Sequence, residues 1–226
     1  MVKRSSGRSR SPEYCNAMPE ATPTKLALRI RRLRRAELPI NTVELARYLI
    51  GKTVVRNLPT ERLAGRIVEA EAYPVGDPAG HAFRGLRLAN RSLFLKRGYA
   101  YVRFTYGSCW IFNVSSEIEG VGAGVLIRAI EPLEEIEVMM RDRGVSRLLD
   151  VARGPGRLCE AMGIDKRFDG IDLCARASSV WLGDAVRSRG RIGVSVRIGI
   201  SRAAHRRLRF YERGSVFVSG PEWMRK

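Results

Sequence analysis

Glu69, Glu71 and Tyr73 stand at alternate positions, and eight residues after the tyrosine comes His81, one of only two histidines in the chain. In an extended strand, residues two apart share a face. In GRIVEAEAY, Ile67, Glu69, Glu71 and Tyr73 therefore line one side, and Val68, Ala70 and Ala72 the other. Two carboxylates beside an aromatic could handle a proton next to a flat apolar wall. The same alternation also describes a strand face turned to solvent, which pattern alone favours. Pro74, Gly76, Pro78 and Gly80 then make an irregular loop able to fold His81 back over the strand end.

Three further groups stand out. AYVRFTYGSCWIFNVSS reads as a hairpin turning near Tyr106 and Gly107, with Asn113 on the returning strand. Its aromatics Tyr101, Phe104, Trp110 and Phe112 suit a core, whereas Tyr106, beside the turn glycine, can project from the tip. In GVLIRAIEP, Arg128 interrupts an apolar strand, so it needs either open solvent at a sheet edge or a matched anion, for which Glu71 is the candidate. In RGPGRLCEAMGI, Pro155 and two glycines lead into a helix near Arg157. Its free N–H groups, with Arg153 and Arg157, could contact phosphate, although ordinary helix-start chemistry explains the motif equally.

The elements that must position these residues are short. Asn41 and Thr42 can cap a helix over TVELARYLI, with an apolar face of Val43, Leu45, Ala46, Leu49 and Ile50 that ends at Gly51. TVVRNL, GRIVEAEAY, AYVRFTYG, SCWIFNVSS and AGVLIRAIE read as strands, helical patterns follow at EPLEEIEVMMRDRG and GPGRLCEAMGI, and strands return at RIGVSVRIGIS and SVFVSG. Strands succeeding one another without intervening helices predict an α+β fold, a mainly antiparallel curved sheet with flanking helices. At 226 residues a single domain is expected over 25–226, preceded by a basic, Ser- and Pro-rich arm over 1–24 with no periodic apolar face.

Charge narrows the partners. The chain has 41 Lys and Arg against 23 Asp and Glu, a formal net charge of +18, which favours a polyanionic ligand. Four cysteines without a Cys-x-x-Cys pair and two histidines give no metal-site spacing, so neither metal nor cofactor is expected. No apolar run approaches a membrane span and no apolar signal core opens the chain, which predicts an intracellular protein without a membrane partner.

In their order and spacing, LARYLIGKTVV, GRIVEAEAY followed by a histidine, NRSLFLKRGYAYV, Tyr106-Gly107 leading to Asn113, VLIRAIEP, GPGRL and LRFYERGS resemble the alkyladenine (3-methyladenine) DNA glycosylase family over about residues 36 to 220. The resemblance implies a monofunctional base-excision enzyme, active as a monomer on double-stranded DNA, in the cytoplasm or nucleoid of a bacterium or the nucleus of a eukaryote. It would flip an alkylated or deaminated purine from the duplex and hydrolyse its N-glycosidic bond. By position it makes Glu71 the general base and Arg128 the residue that helps hold the attacking water. Tyr73 and His81 become a pocket wall, Asn113 an obstruction to the exocyclic amine of guanine, and Tyr106 the side chain inserted into the vacated stack. Glu69 receives no catalytic role and is left as support or as solvent-facing. At the position where most members carry a second stacking tyrosine, this chain has Arg103, which faces a cationic lesion unfavourably and points to a shift toward neutral lesions such as hypoxanthine. A lyase would need an amine nucleophile, and none of the six lysines falls in the assigned blocks. Charge alone fits equally a non-catalytic protein that binds damaged or bent DNA.

Overall fold

The computed structural model describes residues 28–105, 107–185 and 190–221. In chain order the elements are β1 (Ile30–Arg32), α1 (Thr42–Leu49), β2 (Thr53–Asn57), β3 (Arg62–Tyr73), β4 (Ala100–Thr105), β5 (Cys109–Ser115), β6 (Gly124–Glu134), α2 (Ile136–Arg143), α3 (Pro155–Ala161), β7 (Val180–Ala185), β8 (Ile192–Ser195) and β9 (Arg209–Glu212). Among the described residues the nine strands form one open antiparallel sheet in the order β1-β7-β2-β3-β6-β5-β4, with β9 joining β3 to β8. The fold is α+β, as the run of consecutive strands predicts. The basic arm lies outside the described residues. No helix among them is long and apolar enough to cross a membrane.

The helix caps follow local chemistry. The Asn41 side chain accepts hydrogen bonds from the Val43 and Glu44 N–H groups at 2.9 and 3.1 Å, starting α1, which buries Leu45, Ala46 and Leu49. Pro155 begins α3 after Gly154, whose φ of 140° a side chain would rarely permit. The main core joins α1, β3, β5, β6 and α3 through residues such as Leu49, Ile67, Phe112, Ile127 and Leu158.

The central strand, β3, explains why its polar residues are not wet. Its first half pairs with β2 and its second half with β9 along the same edge, while β6 covers the other edge throughout. Its face is covered as well, with Glu69 and Glu71 each fully buried, against the reading that alternation favours. A register shift also breaks the alternation. Ile67 pairs with Ile130, Glu69 with Ala129, and Ala70 with Ile127. Ile67 and Ala70, three apart, both enter the main core, so Ile67 does not share the surface of Glu69 and Glu71 as strict period two predicts.

Other elements depart from the sequence reading for tertiary reasons. The helix expected over EPLEEIEVMMRDRG starts only at Ile136, because residues 131–134 extend β6. There Glu131 and Glu134 form cross-strand ion pairs with Arg66 and Arg62 of β3 at 2.7 and 2.6 Å. SVFVSG is not a strand, and RIGVSVRIGIS is one only as far as Ser195. In both segments β3 carboxylates capture backbone donors: Ser219 N–H binds Glu69 at 2.6 Å and Ile198 N–H binds Glu71 at 2.8 Å. The short strands β1 and β7 carry no pattern that the sequence reading picked out, and β9 lies within LRFYERGS, which reads as a motif and not as a strand.

Candidate active site

Glu69 and Glu71 are each fully buried and each contacts Arg128, yet their surroundings differ. Glu69 is enclosed by donors. Its Oε1 accepts from Arg128 Nε at 3.0 Å and Arg209 Nε at 2.6 Å, and its Oε2 from Ser219 N–H. Burial would raise its pKa, but the two guanidiniums and the added hydrogen bonds outweigh it and hold the carboxyl below its ordinary value. Glu71 has weaker compensation. Its Oε1 accepts from Ile198 N–H at 2.8 Å and lies 3.3 Å from Arg128 Nη1, while Oε2 accepts from the Tyr73 hydroxyl at 2.9 Å. Here burial wins over Arg128, the Ile198 N–H and Tyr73, helped by the nearby Glu69, and the pKa is raised. Arg128 is thus neither at an edge nor in water. β6 runs between β3 and β5, and the guanidinium is shared by both carboxylates.

The three donors to Glu71, namely Tyr73, Arg128 and Ile198, all line a cavity of about 270 Å³, near the ~300 Å³ lower bound common for small-ligand pockets. His81 and Asn113 line it too. The Pro/Gly loop does return His81 to the strand end, where its Nδ1 lies 3.1 Å from the Tyr101 hydroxyl and the two rings meet edge to face at 5.8 Å. Desolvation on that side, with Arg103 nearby, lowers the His81 pKa and so favours the neutral ring. Tyr101 is buried and completes the wall. Asn113, opposite Tyr101 in the β4–β5 register, donates to the Tyr101 carbonyl at 3.2 Å. One face of the Tyr73 ring is covered by the Arg197 guanidinium at 4.5 Å, an arrangement that fixes the ring and enriches its electrostatic environment with positive charge. Burial, then Glu71, pushes the Tyr73 hydroxyl strongly upward, so it remains a proton donor to Glu71.

The other expected residues fall elsewhere. Arg103 does not line this cavity but an adjoining one. Tyr106 lies outside the described residues; the hairpin that carries it is present, with β4 ending at Thr105 and Gly107 at φ 66°. Arg153 and Arg157 line a separate polar cavity behind Arg128, where Arg157 is 3.8 Å from Asp150. Glu69 is support rather than solvent-facing.

Sequence reasoning missed four residues that hold the site. Arg209 binds Glu69, and Ile198 binds Glu71. Arg197, fully buried, pairs with Asp77 at 3.0 Å and donates to the Ala72 carbonyl at 3.0 Å. Asp77 in turn binds Arg206 at 3.0 Å, tying the Pro/Gly loop to the segment after β8. The sequence held one hint. A carboxylate inside the apolar Pro/Gly loop, and arginines within RIGVSVRIGIS and LRFYERGS, all interrupt otherwise strand-like surroundings.

Comparison with known proteins gives this arrangement a lineage. Residues 37–216 match the family described as methylpurine-DNA glycosylase (MPG). A Mesorhizobium japonicum protein assigned as a 3-methyladenine DNA glycosylase is 60% identical over 189 residues, 84% of this chain and 90% of the relative. Proteins with the same assignment from Paraburkholderia phytofirmans and Salinibacter ruber are 53% and 42% identical, covering 87% and 79% of this chain and 92% and 91% of theirs. The matched span contains β2 to β9 and every described residue of the cavity. The chain belongs to the methylpurine-DNA glycosylase family and is a DNA glycosylase.

Proposed function

We propose that this DNA glycosylase excises alkylated purines of the 3-methyladenine type, and deaminated purines as well, from double-stranded DNA, with Glu71 as general base. The observation that carries the reading is the buried carboxylate of raised pKa whose donors Tyr73, Arg128 and Ile198 all face one cavity.

A purine inside a duplex is out of reach, so the nucleotide must leave the stack, at a cost of a few kcal/mol that is least for damaged pairs. By the family resemblance, Tyr106 fills the gap and keeps the DNA bent. The everted base lies against Tyr73 and His81, and Asn113 crowds the position where guanine carries its exocyclic amine. The Arg128 contact is the longest made by Glu71 at 3.3 Å, and Arg128 Nη1 also approaches the Ile198 carbonyl at 3.5 Å. A water entering between these groups donates to Glu71 and is held by Arg128. As the bond from C1′ to the purine nitrogen breaks, its electron pair leaves with the base; a cationic methylated base departs neutral, and a deaminated base departs as an anion that takes up a proton from water. The water oxygen bonds to C1′, and its proton passes to Glu71. The raised pKa suits this role, because a base matched more closely to ambient pH accepts a proton more readily. The carboxylate also offsets positive charge developing on the sugar. One subunit contains every residue invoked, which supports action as a monomer.

The test is an excision panel. Methylated and hypoxanthine-containing duplexes are incubated with wild-type and Glu71→Gln protein, and abasic sites are read by strand cleavage in hot alkali. Wild type is expected to give the signal, and Glu71→Gln to lose it while still binding lesion duplex. Equal signal from both proteins sinks the role of Glu71; binding without cleavage by wild type favours the non-catalytic reading.

A further inference from the structure

We propose that Arg84, Arg87, Arg103 and Arg202 form an anion pocket that receives the lesion-strand phosphate bordering the everted nucleotide. The four guanidiniums line a cavity of about 360 Å³ beside the base cavity, and no carboxylate is among its described lining residues. Arg84, Arg87 and Arg202 are exposed and Arg103 is half-buried, and among the described residues none of the four forms an ion pair, whereas Arg62, Arg66, Arg128 and Arg209 of the sheet do. Four like charges converging on one hollow repel one another until an anion enters. Planar guanidinium forks match phosphate oxygens two at a time.

The position of the cavity names the phosphate. Gly80, His81 and Phe83 belong to both cavities, so His81 is the partition between them. A ligand whose base stands on one side of His81 has its next covalent neighbours within reach of the other side, and in DNA those neighbours are backbone phosphates.

The pocket is also prearranged. Buried Asn90 donates to the carbonyls of His81 and Gly85 at 2.9 and 3.1 Å and accepts from Arg87 N–H at 2.7 Å, fixing the loop that carries Arg84 and Arg87. Asp77 holds Arg197 and Arg206, which bracket Arg202. Arg103 lines the cavity beside His81 and lies close enough to shift the Tyr101 hydroxyl and the His81 ring downward by its charge. It therefore serves the backbone of the DNA rather than the face of the base.

This inference rests on DNA with an everted purine as the substrate, and the experiment separates the two. Duplexes bearing a non-hydrolysable abasic analogue, each with one neutral methylphosphonate linkage at a different position around it, are titrated with wild-type and Arg84→Gln/Arg202→Gln protein. One linkage beside the lesion is expected to weaken wild-type binding roughly tenfold and to leave the already weakened double variant unchanged. Linkages elsewhere are expected to weaken both proteins alike, which shows that the variant is folded. A penalty at that linkage that persists in the variant, or the absence of any linkage that distinguishes the two proteins, overturns the pocket. Because the readout is binding, a wild-type protein that excises nothing would defeat the proposed reaction and leave this result standing.

Discussion

Two glutamates separated by one residue on β3, Glu69 and Glu71, have the same burial and share Arg128, but the fold treats them in opposite ways. Glu69 meets two guanidiniums and a backbone N–H; Glu71 meets a more distant guanidinium contact, a backbone N–H and a phenol. The first carboxyl is pushed down and the second up. What separates the two carboxyls is therefore how completely the desolvation of each is offset. Nearness to a cation does not separate them, since both have one.

The contrast can be broken in several ways. The largest effect is expected at Glu71→Gln, where single-turnover excision should fall by roughly 10²–10⁴-fold, the usual worth of a general base. Stability moves the other way. A raised folded pKa means that Glu71 favours the folded state below its unfolded pKa and loses that contribution as pH rises through the folded value. Thermal unfolding at pH 7 should therefore show Glu71→Gln at least as stable as wild type, with any gain vanishing at low pH.

Glu69→Gln reverses both signs. It removes the carboxylate charge that Arg209 and Arg128 share and leaves Arg128 with Glu71 alone, a change of about 3–5 kcal/mol for a broken buried pair, measurable by urea unfolding. Because the folded pKa of Glu69 is depressed, its contribution is present above the unfolded pKa and disappears as pH falls through the folded value. The variant should accordingly lose part of the wild type's acid sensitivity. A Glu69→Gln protein as stable as wild type would remove the distinction between the two carboxylates.

Tyr73→Phe removes one donor to Glu71 and should raise the Glu71 pKa further. With Glu71 as the proposed base, activity is expected to rise with pH as it loses its proton, so that ascending limb should move to higher pH, read from excision rates across a pH series. An unmoved limb would mean that the limb does not report Glu71. The smallest effect is expected from Arg103→Tyr, on the ratio of 3-methyladenine to hypoxanthine excision. An unchanged ratio accords with Arg103 lying in the anion pocket, and a change in favour of 3-methyladenine restores the idea that position 103 screens the charge of the lesion.

Much of this was legible in the chain. Consecutive β-rich runs broken by Gly, Pro and Asn announce an antiparallel sheet, Asn41 announces α1, and a lone arginine within VLIRAIEP demands an anion. The ordered motifs announce the family. These readings succeed because they depend on neighbours a few residues away, where backbone propensity, capping and the avoidance of buried charge operate. Tertiary structure alone decided the rest. Strict alternation placed Ile67 beside Glu69 until the register shift removed it, and EPLE became strand because β3 offered arginines across the ladder. The different fates of Glu69 and Glu71 were set by Ile198, Arg209 and Ser219, between 127 and 150 residues away. A carboxylate's pKa depends on which donors crowd around it in space, and that distance along the chain leaves no local signature.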